Sequence, residues 1–133
     1  MANALYPKFK ESLLQGDIDM SSDTIKVALI DTGTYTYSSS HQFYSSVSGV
    51  VGTPQTLGSK TFTNGVFDAA DVSFTSLSGD TVEAYIIYKD TGVAGTSNLI
   101  AYFDSAASGM PLTPDGNNVT LTFDSGASKI FAL

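Results

Sequence analysis

Asp80 to Asp104, DTVEAYIIYKDTGVAGTSNLIAYFD, is the stretch whose reading decides the fold. Two runs of β-branched and aromatic residues flank a loop of Gly, Ala, Thr and Ser. In the first run Val82, Ala84, Ile86 and Tyr88 share one face, and Thr81, Glu83, Tyr85, Ile87 and Lys89 share the other. Successive strand side chains point to opposite faces, so one wholly apolar row at a period of two predicts a half-buried strand. The second run repeats the pattern with Leu99, Ala101 and Phe103 opposite Asn98, Ile100, Tyr102 and Asp104. Asp90-Thr91-Gly92 between them supplies an Asx-type turn and a residue free to take positive φ. The stretch therefore reads as the central hairpin of an all-β domain.

Working outward, Thr24–Asp31 is a core strand with Ile25, Val27 and Leu29 inward. Lys60–Thr63 and Val66–Asp68 face each other across Asn64-Gly65, the strongest short hairpin signal a sequence carries. Asp71–Thr75 adds a strand with Val72 and Phe74 inward. Asn118–Phe123 adds another with Val119, Leu121 and Phe123 on one face, and Lys129–Leu133 closes the chain as a short edge strand. Ser108–Asn118 is a Pro/Gly-punctuated loop. The expected architecture is an antiparallel β-sandwich or jelly-roll of about eight short strands.

Leu5–Gln15 is the one good helix candidate, with Pro7 in its first turn, Leu5, Phe9 and Leu13 on an apolar stripe (Tyr6 and Leu14 beside it), and Gly16 placed to end it. Residues 1–16 are thus expected to form a short N-terminal helical arm on a single domain of residues 1–133, packed over an open end of the sandwich or, as the alternative, reaching onto a neighbouring subunit. Thr32–Pro54 has no clear period. Ser40 could cap one helical turn through His41–Tyr44, and Tyr35, Tyr37, Phe43 and Tyr44 are too many aromatics for an idle loop. At least half of them should cover the sandwich, and the rest are candidates for a contact surface.

Composition bounds the function. The chain has no cysteine, which removes disulfides, thiol nucleophiles and thiolate metal sites. Its formal charge is −7, and all six of its basic residues are lysines. Neither nucleic acid nor an anionic membrane suits such a surface. The N-terminal residues lack the apolar core of a signal peptide, so synthesis in the cytoplasm is expected. The acidic run Asp17–Asp23 lacks the glycine and terminal glutamate of a calcium loop and reads as a solvated connector. His41, the lone histidine, reads as a polar loop residue. No metal, cofactor or catalytic residue is expected.

One motif looks catalytic. Ala28-Leu-Ile-Asp31-Thr-Gly-Thr34 has the form of an aspartic protease signature, and Asp90-Thr-Gly92 repeats its tripeptide. Such enzymes activate water with two carboxylates held about 3 Å apart. Here Lys89 precedes the second copy where an apolar residue belongs, and the chain is too short for two protease lobes. Both tripeptides read as turns.

Asn3–Val47 (NALYPKFKESLLQGDIDMSSDTIKVALIDTGTYTYSSSHQFYSSV), Lys60–Gly92 (KTFTNGVFDAADVSFTSLSGDTVEAYIIYKDTG), Leu99–Asp124 (LIAYFDSAASGMPLTPDGNNVTLTFD) and the closing KIFAL resemble a family of small virion proteins of tailed bacteriophages. Within it the chain looks most like capsid cement, or decoration, proteins. The resemblance implies a β-sandwich subunit on the outer face of the head, made in the host cytoplasm, a dimer or trimer bound to the major capsid protein and copies of itself. It brings no catalytic residues. Leu5, Tyr6, Phe9, Tyr35, Tyr37, Phe43, Tyr44 and Met110 are the expected contact residues. A tail or fibre module that stacks tyrosines on a host glycan is the alternative.

Overall fold

A computed structural model describes residues 4–104, 111–123 and 129–133, and the chain is all-β with one short helix. Among those residues the strands are β1 (Ala4–Leu5), β2 (Ile25–Ile30), β3 (Val50–Thr56), β4 (Val66–Phe67), β5 (Val72–Phe74), β6 (Ala84–Lys89), β7 (Leu99–Phe103), β8 (Val119–Leu121) and β9 (Phe131–Ala132). The helix α1 spans Pro7–Leu14. Five strands form one antiparallel sheet in the order β1-β7-β6-β2-β3, and two ribbons, β4-β9 and β5-β8, form the smaller sheets. The arrangement is sandwich-like.

The central hairpin is as expected: β6 and β7 pair antiparallel, Tyr85 opposite Phe103 and Ile87 opposite Ala101. The Gly92 N–H donates to Asp90 Oδ1 at 2.9 Å and closes the Asx turn. Of the residues read as facing inward, Val27, Leu29, Val82, Ile86, Leu99, Phe103 and Leu121 are buried, and Val119 is half-buried.

The expectation of half-buried strands is corrected. Every residue from Ala84 to Tyr88 and from Leu99 to Phe103 is buried, whichever way it points. Ile86, Ala28 and Tyr102 share one face, while Ile87, Val27, Tyr85 and Phe103 share the other. Both faces are covered. On the second face Phe123, just beyond β8, meets Tyr85 edge-on at 6.0 Å, and β5 of the same ribbon packs beside β3. Gly52 in β3 has a φ of +74°, which a residue with a Cβ adopts only with strain. The first face is roofed by the chain between β2 and β3.

β3 was hidden in the sequence by that glycine and by Pro54, which a strand tolerates at a sheet edge, where β3 lies. The Asn64-Gly65 turn forms as read: both residues have positive φ, and the Val66 N–H donates to the Thr63 carbonyl. Its hairpin is shorter than expected, a single bridge between Thr61 and Asp68, because Val66–Phe67 pairs instead with Phe131–Ala132. The helical turn expected through His41–Tyr44 is displaced. Phe43 is extended and bridges Asn98, and one 3₁₀ turn follows at Tyr44–Ser46.

The helix begins at Pro7, two residues later than expected, since the residue before a proline avoids the α region and Tyr6 is accordingly extended. It ends in a Schellman motif, Gly16 N–H to Leu13 O and Asp17 N–H to Ser12 O. Residues 4–14 pack against the main sheet rather than reaching away from it. Ala4 and Leu5 pair with Tyr102 and Ala101, and Tyr6 and Phe9 are fully buried.

Candidate functional site

The roof begins where β2 ends. Asp31 Oδ1 accepts the Gly33 N–H at 2.9 Å and Oδ2 accepts the Thr34 hydroxyl at 3.2 Å, which turns the chain back across the sheet. The following residues lay tyrosines on it. Tyr44 stacks flat on Tyr88 with ring centroids 4.2 Å apart. Tyr37 meets Tyr6 at 5.0 Å and Tyr102 at 5.3 Å. The Tyr6 and Tyr35 hydroxyls hydrogen-bond at 2.8 Å, and Tyr35 Oη continues the chain to His41 Nδ1, also at 2.8 Å. His41 is therefore a partner of the tyrosine layer rather than a free loop residue.

Burial makes these phenols reluctant acids. The hydroxyl of Tyr6 is pushed far above the usual tyrosine range by burial and by its bond to Tyr35, and those of Tyr35, Tyr37, Tyr44 and Tyr88 are raised chiefly by burial. Tyr102 is pushed up to about 12 by burial and by the charge of Asp104. Unfolded tyrosines ionise near pH 10. A raised native pKa stabilises fully below that pH, and the contribution is lost as the pH climbs from there toward the native values. Tyrosinate absorbance should therefore lag behind that of free tyrosine and then rise together with loss of the sheet's circular-dichroism signal. A normal, independent titration near pH 10 with the sheet intact would contradict the buried layer.

At one end of the roof a cleft of about 340 Å³ opens, lined by Thr32, Tyr35, Thr36, Tyr37, Glu83, Tyr102 and Asp104. Glu83 Oε1 accepts the Thr32 hydroxyl at 3.0 Å, whereas Oε2 is buried without a hydrogen-bond partner. Asp104 stands beside the Tyr102 hydroxyl, whose ionisation its charge opposes. In the sequence Glu83 and Asp104 were merely polar positions on strand faces, and no signal set them apart.

A second concavity, about 190 Å³, is apolar. Phe9, Leu13, Met20, Phe62, Phe67, Phe131 and Leu133 line it. Its rim includes two of the large apolar side chains left in water, Phe62 and the C-terminal Leu133, and Leu14 on α1 is 89% exposed. The wide apolar stripe of α1 signalled part of this: one edge is buried and the other is not.

The expected contact residues divide accordingly. Tyr6, Phe9 and Tyr35 are buried within the chain, a correction with a plain cause: they are the roof and the helix anchor of the sheet. Leu5, Tyr37 and Tyr44 are half-buried against the same core, and Phe43 is half-buried. Met110 lies outside the described residues. Asp31 and Asp90 terminate β2 and β6 at opposite ends of their antiparallel ladder, where Ile25 faces Lys89 and Ile30 faces Ala84. Six residues at about 3.4 Å each hold them roughly 20 Å apart, so they form no protease dyad within one chain. Asp90 instead holds Lys26 at 2.9 Å. The Asp17–Asp23 connector is tied to the sheet, with Lys89 Nζ 3.2 Å from the Asp23 carboxylate and donating to the Asp17 carbonyl.

No family model matches the chain, and no curated protein matches it significantly.

Proposed function

We propose that the chain is a structural protein of a tailed-phage virion, a cement protein bound to the outside of the head, which it grips through the apolar groove beside α1. The observation that carries this reading is the groove itself. Phe62, Leu133 and Leu14 stand in water around or beside a concavity lined almost wholly by aromatic and aliphatic side chains. Contiguous apolar surface on a soluble protein marks a place where another protein sits. Aromatic side chains and methionine are favoured at the centre of such contacts. The segment-by-segment resemblance to phage head proteins supplies the class of partner, and an acidic surface without arginine suits the outside of a shell better than its DNA-facing side.

Cementing needs no catalysis. A protein that binds the assembled lattice in preference to free subunits shifts the equilibrium toward the lattice, and many copies each contribute a modest contact. Leu14→Glu with Leu133→Glu tests the grip, because both side chains are mostly in water and surface substitutions leave the fold nearly unchanged. The double variant should melt with the natural protein in isolation yet fail to remain on purified heads, and heads carrying it should burst at a lower temperature. Heads that keep their heat resistance without the protein, while particles lose adsorption to cells, would replace cement with the glycan-binding tail module.

A further inference from the structure

The tyrosine–carboxylate cleft has a chemistry of its own, independent of the groove and of the cement reading. We propose that it receives a cationic side chain, arginine above all, presented by another protein.

Three observations converge. First, Glu83 is anchored through Oε1 by the Thr32 hydroxyl, but its buried Oε2 has no donor, and an unmet buried acceptor is among the more expensive features a fold can carry. A donor brought by a ligand removes that penalty. Second, the lining is also aromatic: Tyr37, half-buried, packs on the buried Tyr102 at 5.3 Å and 40°, too close for a ring to slide between them, so the ring with open surface is that of Tyr37. Ring faces are electron-rich and attract cations. Third, Asp104 adds a second carboxylate, and among the described residues no basic side chain lines the cavity. A neutral saccharide could donate to Glu83 and stack on a tyrosine, but it would leave the carboxylate charge unanswered.

Guanidinium fits better than ammonium. It is planar, weakly hydrated and forked, so it can lie on a tyrosine face while directing two N–H groups at one carboxylate. The volume, about 340 Å³, falls at the small end of the range for ligand pockets, which suits one long side chain. The donor comes from a different protein. This chain contains no arginine, and five of its six lysines are engaged elsewhere: Lys8 with Glu11, Lys26 with Asp90, Lys60 with the Asp23 carbonyl, Lys89 with Asp23 and Lys129 with Asp68. Glu83 is half-buried and lines the cleft, which puts its carboxylate beside the ligand.

The test uses the full chain and three small probes: acetyl-arginine amide, its uncharged analogue acetyl-citrulline amide, and maltose. Each is titrated while the NMR signals of Tyr37, Tyr102 and the Glu83 backbone are followed. The arginine probe should shift them saturably, citrulline should bind at least about tenfold more weakly, and added salt should weaken the arginine complex. Glu83→Gln keeps an acceptor for Thr32 and should retain the native melting temperature while losing at least about tenfold in arginine affinity. Tyr37→Leu, which removes one ring face, should weaken the same probe and serves as the second variant should Glu83→Gln melt early. Equal binding of citrulline, tighter binding of maltose, no saturable shift with arginine, or unchanged affinity in both variants would each overturn the assignment.

Discussion

A chain lacking residues 1–16 should not fold. Ala4 and Leu5 complete the edge of the main sheet against β7, and the Tyr6 N–H continues the ladder to the Ile100 carbonyl at 3.0 Å. Tyr6 then buries its ring among the roof tyrosines, and Phe9 buries its own against Phe131 at 5.9 Å. Removing one buried aromatic costs about 3–5 kcal/mol, and a whole domain has only about 5–15 kcal/mol to lose. Two such anchors and a strand go together in this truncation. It also bares β7, LIAYF, buried on both faces, as a flat apolar edge, the kind of edge that pairs with other chains. The 17–133 fragment should therefore be recovered as aggregate, and any soluble fraction should lack a cooperative melt. A soluble fragment with the sheet's circular-dichroism spectrum and a sharp transition would restore the N-terminal segment to the status of a detachable arm.

The segments a reader finds in the sequence are those whose signal is local. Alternation over five or six residues located β2, β6 and β7, and the Asn-Gly and Asp-Thr-Gly turns formed where their residue chemistry put them. What stayed hidden depends on distant partners. β1 is two residues long and exists only because Tyr102 and Ala101 are there to pair with. The strand pattern was read as one buried row because Tyr85, Glu83 and Lys89 look polar, yet Tyr85 stacks on Phe103 at 4.9 Å and lies in the core. The site shows the same limit. The tyrosines between β2 and β3 announced themselves by number, and the sharing of them between core and surface was foreseeable. That they roof the sheet follows from contacts such as Tyr44 on Tyr88 and Tyr6 with Tyr35, which no local period encodes. Glu83 becomes notable only once Thr32, 51 positions away, takes one of its oxygens and leaves the other.

The sharpest consequence of a sheet buried on both faces is that Ile87→Asp should destroy the fold as thoroughly as Ile86→Asp. A sandwich strand with one wet face would tolerate a carboxylate at one of two adjacent positions, because neighbouring side chains point oppositely. In this chain Ile86 and Ile87 are both fully buried, paired with Ala28 and Tyr102 on one side and with Val27 and Ala101 on the other. Each substitution removes a large aliphatic side chain, worth about 2–5 kcal/mol, and inserts a carboxylate into a hydrophobic core, worth several kcal/mol more. Protonating the carboxylate lessens the second penalty without supplying a hydrogen-bond partner. Together they reach the stability of a typical domain. Lys10→Asp on the exposed side of α1 is the control for added negative charge and should change the unfolding free energy by no more than about 0.5 kcal/mol. Measured by soluble yield and urea unfolding, both isoleucine variants should be unfolded at zero denaturant while Lys10→Asp unfolds like the natural chain. If Ile87→Asp folds and Ile86→Asp does not, the second face is open to water, and the β5-β8 ribbon does not cover it.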